Sequence, residues 1–151
     1  MLSITPFLWY ETQAEEAASL YTSIFPRSGV VSVNRAGPQV MSVELELEGQ
    51  KVVALNGRPP FQFNESFSFL ISCETQREID DLWTKLTADG GSPGRCGWLK
   101  DKFGLSWQVV PSAMPKLLGG TDGARTKRVV DAMMQMSKLD LGRLQHAYDG
   151  A

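Results

Sequence analysis

Histidine is nearly absent from this chain: among 151 residues there is one, His146, five positions from the end. A site built from several imidazoles is therefore excluded, and nucleophile-plus-base catalysis has no well-placed base. Cysteine is almost as scarce. Cys73 and Cys96 are the only two; they make neither a zinc ribbon nor a disulfide framework, and they read as reduced thiols in a cytoplasmic protein. A basic excess is lacking too. Fifteen Lys and Arg against 17 Asp and Glu give a net charge of −2, so no cationic stripe follows a phosphate backbone and nucleic acid is not expected as a partner. No apolar run approaches the roughly 20 residues of a membrane span. The start, MLSITPFLWY, has no basic region and its apolar stretch ends at Glu11, so neither a signal peptide nor a membrane partner is expected. What is present, 42% hydrophobic and 21% charged residues, is an ordinary globular composition, enough for one domain or two small modules.

The most informative positive feature is an internal repeat. Residues 7–24 read FLWYETQAEEAASLYTSI and residues 69–86 read FLISCETQREIDDLWTKL. Phe7-Leu8 matches Phe69-Leu70, Glu11-Thr12-Gln13 matches Glu74-Thr75-Gln76, and Leu20-Tyr21-Thr22 matches Leu82-Trp83-Thr84, at offsets of 62 or 63. Each copy has the same grammar. An apolar strand (about 3–10, about 66–73) leads to a Thr able to cap a helix. The helix follows with a 3.6-residue period: Ala14, Ala17, Ala18, Tyr21 and Ile24 in the first, Ile79, Leu82, Trp83 and Leu86 in the second. Phe25-Pro26 ends the first helix and Gly90-Gly91 the second.

After the first helix the period becomes two. Met41, Val43, Leu45 and Leu47 alternate with Ser42, Glu44, Glu46 and Glu48, a strand with one buried and one solvated face. Val52–Leu55 is a more buried strand and Val30–Val33 a weaker one. In the second copy 94–100 and 105–110 read as strands joined by a turn at Lys102-Phe103-Gly104. The plan is β-α-β-β-β twice, the second copy compressed. Beyond Pro111 the chain turns helical. Ser112, Asp122 and Asp140 are candidate caps for helices reaching about Leu118, Ser137 and Tyr148. Val129, Val130, Met133 and Met136 line one side of the middle helix, and Leu141, Leu144 and Tyr148 one side of the last, faces suited to packing on the sheet or on a second subunit.

Three segments carry a family resemblance: ITPFLWYETQAEEAASLYTSIFP at 4–26, VVALNG at 52–57 and CGWLKDKFGLSWQVVP at 96–111. With the QREIDDLWTKL helix they resemble the vicinal oxygen chelate superfamily (glyoxalases, bleomycin-resistance proteins, extradiol dioxygenases) over about 1–137. More closely they resemble its PhnB-like branch, whose members often carry the name 3-demethylubiquinone-9 3-methyltransferase. The resemblance implies an α+β fold of tandem βαβββ modules, about 1–58 and 64–111, forming one domain, with 112–151 a helical extension. It also implies a homodimer and a cupped sheet that takes a small-molecule ligand.

Metal-dependent members of the superfamily hold a divalent ion with four side chains, usually His and Glu, and use it to stabilise charge on substrate oxygens. On this sequence those positions fall at about Thr5 or Pro6, Asn56, Ser68 and Gln108. None is His, Asp or Glu, and a shifted register recruits only Glu11 or Glu65. Neutral Thr, Asn, Ser and Gln are a poor cage for a catalytic divalent ion. The expectation is a protein with no metal site and no cofactor. Other chemistry has little support. Glu15-Glu16 and Glu44, Glu46 and Glu48 read as solvated faces. The glycine-rich stretch 90–94 follows a helix and so lacks the strand-to-helix context of a nucleotide turn. Nothing else points to methyl transfer.

The aromatics Trp9, Phe61, Phe63, Phe67, Trp98 and Trp107 fall on or between strands, some as core and some as pocket wall. The candidate ligand-binding residues are Trp9, Asn56, Phe63, Ser68, Trp98 and Gln108. The reading is a PhnB-like protein binding a small organic ligand without a catalytic metal. The alternatives are a metal-dependent lyase, isomerase or dioxygenase-type enzyme and an antibiotic-sequestering resistance protein.

Overall fold

A computed structural model describes residues 1–150, which divide into two compact units, Met1–Gln62 and the remainder from Phe63 onward. In the first, β1 (Phe7–Tyr10) leads to α1 (Ala14–Ile24) and then to β2 (Ser28–Ala36), β3 (Gln39–Leu47) and β4 (Gln50–Asn56). The strands form one sheet in the order β1-β4-β3-β2, with β1 parallel to β4 and the other pairs antiparallel. In the second unit β5 (Ser68–Cys73) leads to α2 (Gln76–Thr87), then β6 (Ser92–Pro93), β7 (Trp98–Lys100) and β8 (Ser106–Pro111). Its sheet has the order β5-β8-β7-β6 with the same pattern of directions. The repeat in the sequence is thus a repeat of the βαβββ fold.

Each helix covers one face of its sheet. Side chains alternate across a strand, and Leu8, Tyr10, Val43, Leu45, Val52 and Ala54 are buried while their neighbours along each strand are not. α1 lies over β3, β2 and β4 and adds Ala14, Ala17, Ala18, Tyr21 and Ile24 to this core. The small side chains let the helix approach closely, and the Tyr10 and Tyr21 hydroxyls meet at 3.0 Å. In the second unit α2 lies over β8, β7 and β5, with Ile79 and Leu86 at the contact. Burying each of these two aliphatic side chains contributes about 1.5–3 kcal/mol.

The two helices start differently. Thr75 caps α2 as its position suggests: its Oγ1 accepts the Glu78 N–H at 3.2 Å, and the Glu78 carboxylate accepts the Thr75 N–H. Thr12 does not cap α1. Gln13 occupies the cap position with no side-chain bond, and the Ala14 N–H is taken by Asn56 Oδ1 at 2.8 Å.

Other boundaries shift for local reasons. β1 begins at Phe7 rather than near residue 3, since Pro6 has no N–H for the ladder, although its carbonyl accepts from Val53. α2 ends at Thr87, ahead of the glycines. The expected strand 94–100 is broken: Ser92–Pro93 is a short edge strand, and a loop with Cys96 and Gly97 at φ +57 and +87 precedes Trp98.

The tail forms α3 (Met114–Leu118), α4 (Gly123–Met134) and α5 (Leu141–Asp149). Asp122 and Asp140 cap the last two through the Arg125 and Arg143 N–H groups, at 3.1 and 2.9 Å. Ser112 does not cap α3, whose first position is preceded by Ala113. Met114, Leu117, Val129, Met136, Leu139 and Leu144 make a buried cluster of their own. Main-chain bonds from Cys96 and Gly97 to the Met136 and Ser137 carbonyls fasten the tail to the loop before β7. Gln76 does the same at α2, donating to the Leu139 carbonyl at 3.0 Å and accepting from the Leu141 N–H at 2.7 Å. Among the described residues no helix is long and apolar enough to cross a membrane.

Candidate functional site

The face of each sheet opposite its helix carries four of the six candidate residues, Trp9 on the first and Ser68, Trp98 and Gln108 on the second. On the first sheet Trp9 stands beside Leu55 in register, with Phe7 beside Val53. These four share the face away from α1. The Trp9 indole is held in place: its Nε1–H donates to the Pro59 carbonyl at 3.1 Å and its ring meets Phe61 edge-on at 5.3 Å. Asn56 does not share that face. It pairs with the buried Tyr10, and its amide donates to the Val40 carbonyl at 3.1 Å while accepting from Ala14. It holds the start of α1 to the sheet.

A Cβ added to Gly57 would lie 2.7 Å from Trp9 Cζ2 and 3.1 Å from a Leu55 methyl. Gly57→Ala is therefore expected to swing the indole off Pro59, at a cost of about 1–2 kcal/mol. A changed tryptophan near-ultraviolet circular dichroism and a lowered Tm are the readouts. An unchanged spectrum would contradict the placement of Trp9.

On the second sheet three of the candidates come together. Trp98 is the register partner of Gln108, and Ser68 the partner of Ser106. Gln108 Nε2 donates to Ser68 Oγ at 3.0 Å, both side chains being half-buried. Phe63 is half-buried in the segment before β5. Trp107 points the other way. It is 2% exposed, lies 5.1 Å from the Phe69 ring, and donates its indole N–H to Asp101 Oδ2 at 2.9 Å. It is a core residue.

Beside Trp98 a cleft of about 520 Å³ opens, lined among others by Ser92, Arg95, Lys100, Glu65 and Ser106. Lys100 Nζ donates to Glu65 Oε1 at 2.6 Å, and this bond holds the Glu65 carboxyl below its ordinary range. The tail shapes the rim. Arg95 donates to the Met134 carbonyl at 2.6 Å, and Ser137 Oγ donates to the Gly94 carbonyl.

Sequence reasoning missed Arg95, Lys100 and Ser106. Lys100 shares the parity of Trp98 and could have been found from it. Ser106 lies in SWQVVP, a strand along which burial does not alternate cleanly.

Among the described residues, no group of three or more His, Cys, Asp and Glu side chains could hold a metal ion. The positions at which the family resemblance would put metal ligands include the amide of Asn56, already paired on the helix side, and the mutually bonded Ser68 and Gln108. This donor set does not fit a four-ligand divalent centre. His146 is exposed on α5.

Cys73 is 1% exposed at the end of β5. Burial first, and the nearby Glu78 carboxylate second, push its thiol from 9.0 to about 11. Cys96 is half-exposed. A disulfide-exchange reagent at pH 8 is expected to titrate one thiol per folded chain, and the second only on unfolding. Because the folded thiol holds its proton more tightly, the unfolded chain loses its proton first. The stabilising effect of Cys73 is then present below pH 9.0 and lost as pH rises toward about 11. A Cys73→Ala variant should lack that component, and rapid reaction of both thiols would contradict the burial.

The model of the 3-demethylubiquinone-9 3-methyltransferase family matches residues 2–110, and the chain belongs to this family. A Bacillus cereus PhnB protein carrying the same methyltransferase name is 32% identical, with a TM-score of 0.68 over 73% of this chain and 99% of its own. PA1353 from Pseudomonas aeruginosa, 20% identical, has a TM-score of 0.62 over 74% and 98% of the two chains. A glyoxalase-related enzyme from Fulvimarina pelagi, 15% identical, reaches 0.52 over 73% and 88%. The chain is thus PhnB-like, and these last two proteins share its fold. No curated protein sequence matches it.

Proposed function

We propose that this PhnB-like protein binds a small organic ligand on the open face of its second sheet, without a resident metal. The observation that carries this is the grouping of Ser68, Gln108 and Trp98 on one face beside a cleft of about 520 Å³, a size usual for small-molecule sites. Trp98 supplies an apolar wall and the Ser68–Gln108 pair a fixed polar edge. Phe63 flanks β5, and Trp9 offers an aromatic surface on the first sheet.

Elemental analysis of the purified protein, paired with a thermal-shift screen of small organic compounds, tests the proposal. Expected are compounds that raise Tm by several degrees and metal well below one equivalent, with Tm unmoved by chelator. Stoichiometric zinc, nickel, iron or manganese, with binding lost on chelation, would instead support a metal-dependent enzyme.

The reading includes a homodimer. Phe7, Val31 and Leu70 are 58%, 64% and 57% exposed, apolar side chains that a second copy of the chain would cover. Light scattering is expected to give twice the 16.7 kDa chain mass. The two thiols are not joined, which fits a reducing compartment such as the cytoplasm.

A further inference from the structure

We infer that the cleft beside Trp98 is a receptor for a monocarboxylate carried on an apolar body; this rests on the open face being a ligand site and names the class of ligand. The leading observation is Ser106. Its side chain lines the cleft, is 1% exposed, and its Oγ has no hydrogen-bond partner among the described residues. A buried hydroxyl without a partner is unfavourable, and its presence calls for an explanation. Lys100 is its register partner across the β7–β8 ladder and stands on the same face.

The polar inventory of the cleft is rich in donors. The Lys100 ammonium has three N–H groups, of which Glu65 takes one. The Arg95 guanidinium gives one nitrogen to Met134 and keeps others free for a ligand. Ser92 and Ser106 add hydroxyls. The one carboxylate, Glu65, is already paired with Lys100, so two cations against one anion leave the cleft with a single positive charge. A ligand that only accepts hydrogen bonds and carries one negative charge matches this set, and a carboxylate is such a group. The Trp98 ring and Pro93 give its body an apolar seat. A planar cationic antibiotic would meet the wrong sign of charge. The helical tail contributes as well: Met134 and Ser137, beyond the residues that the family model matches, hold Arg95 and Gly94 at the rim.

Isothermal titration with matched pairs tests this: benzoate, 1-naphthoate and octanoate, each against its primary alcohol, with inorganic phosphate alongside. At least one carboxylate is expected to bind, with its alcohol weaker by about tenfold or more, the effect of losing charge-assisted hydrogen bonds. Ser106→Ala and Lys100→Met should each weaken the carboxylate about tenfold, while Lys127→Met, an exposed α4 side chain paired with Asp131, should leave it unchanged. Ser106→Ala should also raise the Tm of the ligand-free protein, a sign opposite to that of a merely structural serine and one that shows the variant folds. Equal binding of acid and alcohol would overturn the anion assignment and leave the ligand site standing. Binding of phosphate alone would overturn the apolar-body part. Binding of no member of the panel would overturn both the assignment and the site.

Discussion

Replacing Asp101 by alanine is expected to destabilise the protein by about 3–5 kcal/mol, the largest effect expected of any single polar change. Asp101 is 2% exposed. Its Oδ1 accepts the Phe103 and Leu105 N–H groups at 2.9 and 3.1 Å, and its Oδ2 accepts the Trp107 indole at 2.9 Å. One carboxylate thus closes the β7–β8 turn and anchors the largest buried side chain. Alanine would orphan all three donors, each at about 1–3 kcal/mol when shielded from water, less whatever relaxation supplies. Asn keeps the shape and two of the three acceptor contacts, but turns an N–H₂ toward the indole N–H, so Asp101→Asn should fall well short of the alanine loss. Denaturant unfolding measures both. A loss below about 1 kcal/mol for alanine would mean that the carboxylate does not organise the turn. Because Ser106 and Gln108 follow directly on β8, ligand binding should weaken along with stability.

The second large effect is expected at Gly97, where alanine should cost about 2–4 kcal/mol. Two causes add. Its φ of +87 is one that side-chain-bearing residues rarely adopt, and a Cβ there would lie 2.9 Å from the Val109 carbonyl and 3.0 Å from Leu139 Cδ1. Gly97 donates to the Ser137 carbonyl and accepts from the Val109 N–H, so it joins β8, the loop before β7 and the tail at one point. Hydrogen exchange should therefore speed up in α5 as well as at β8, and a change confined to 96–98 would contradict the joint. Cys96, at φ +57, shows that a side chain is tolerated one residue earlier. There the side chain is half-exposed and reaches Met134 Sδ at 3.6 Å.

These two positions show what could be read in the chain and what could not. The repeat was legible because strand, cap and helix recur together, and Thr75 with Glu78 is a cap visible at a spacing of three residues. Alternation in 41–48 likewise assigns Leu45 and Glu44 to opposite faces from residue pattern alone. Asn56 was misplaced in its facing, since the group that claims it, the Ala14 N–H, is 42 residues away. Asp101 looks like an ordinary turn residue in KDKFG until Trp107 folds back on it. The break at 94–97 depends on main-chain bonds to Met136 and Ser137, and no local pattern announces those. Ser106 escaped for a different reason. Burial along its strand does not alternate cleanly, so period-two reasoning has nothing to grip, and its importance lies in a partner the chain does not supply. On the metal question the sequence offers residue types alone: one histidine, and neutral side chains where the resemblance would put ligands. The structure adds that Ser68 and Gln108 are bonded to each other.

Metal-independent ligand binding on the open face of the second sheet is tested most directly by a backbone amide chemical-shift titration. Chelator-treated protein is titrated with the compound that stabilises it most. Shifts are expected to concentrate on Ser68–Cys73, Trp98–Lys100 and Ser106–Pro111, with a Kd that does not change when zinc is added back. Shifts elsewhere in the chain, or binding that returns only with the metal, would contradict metal-independent binding at this face.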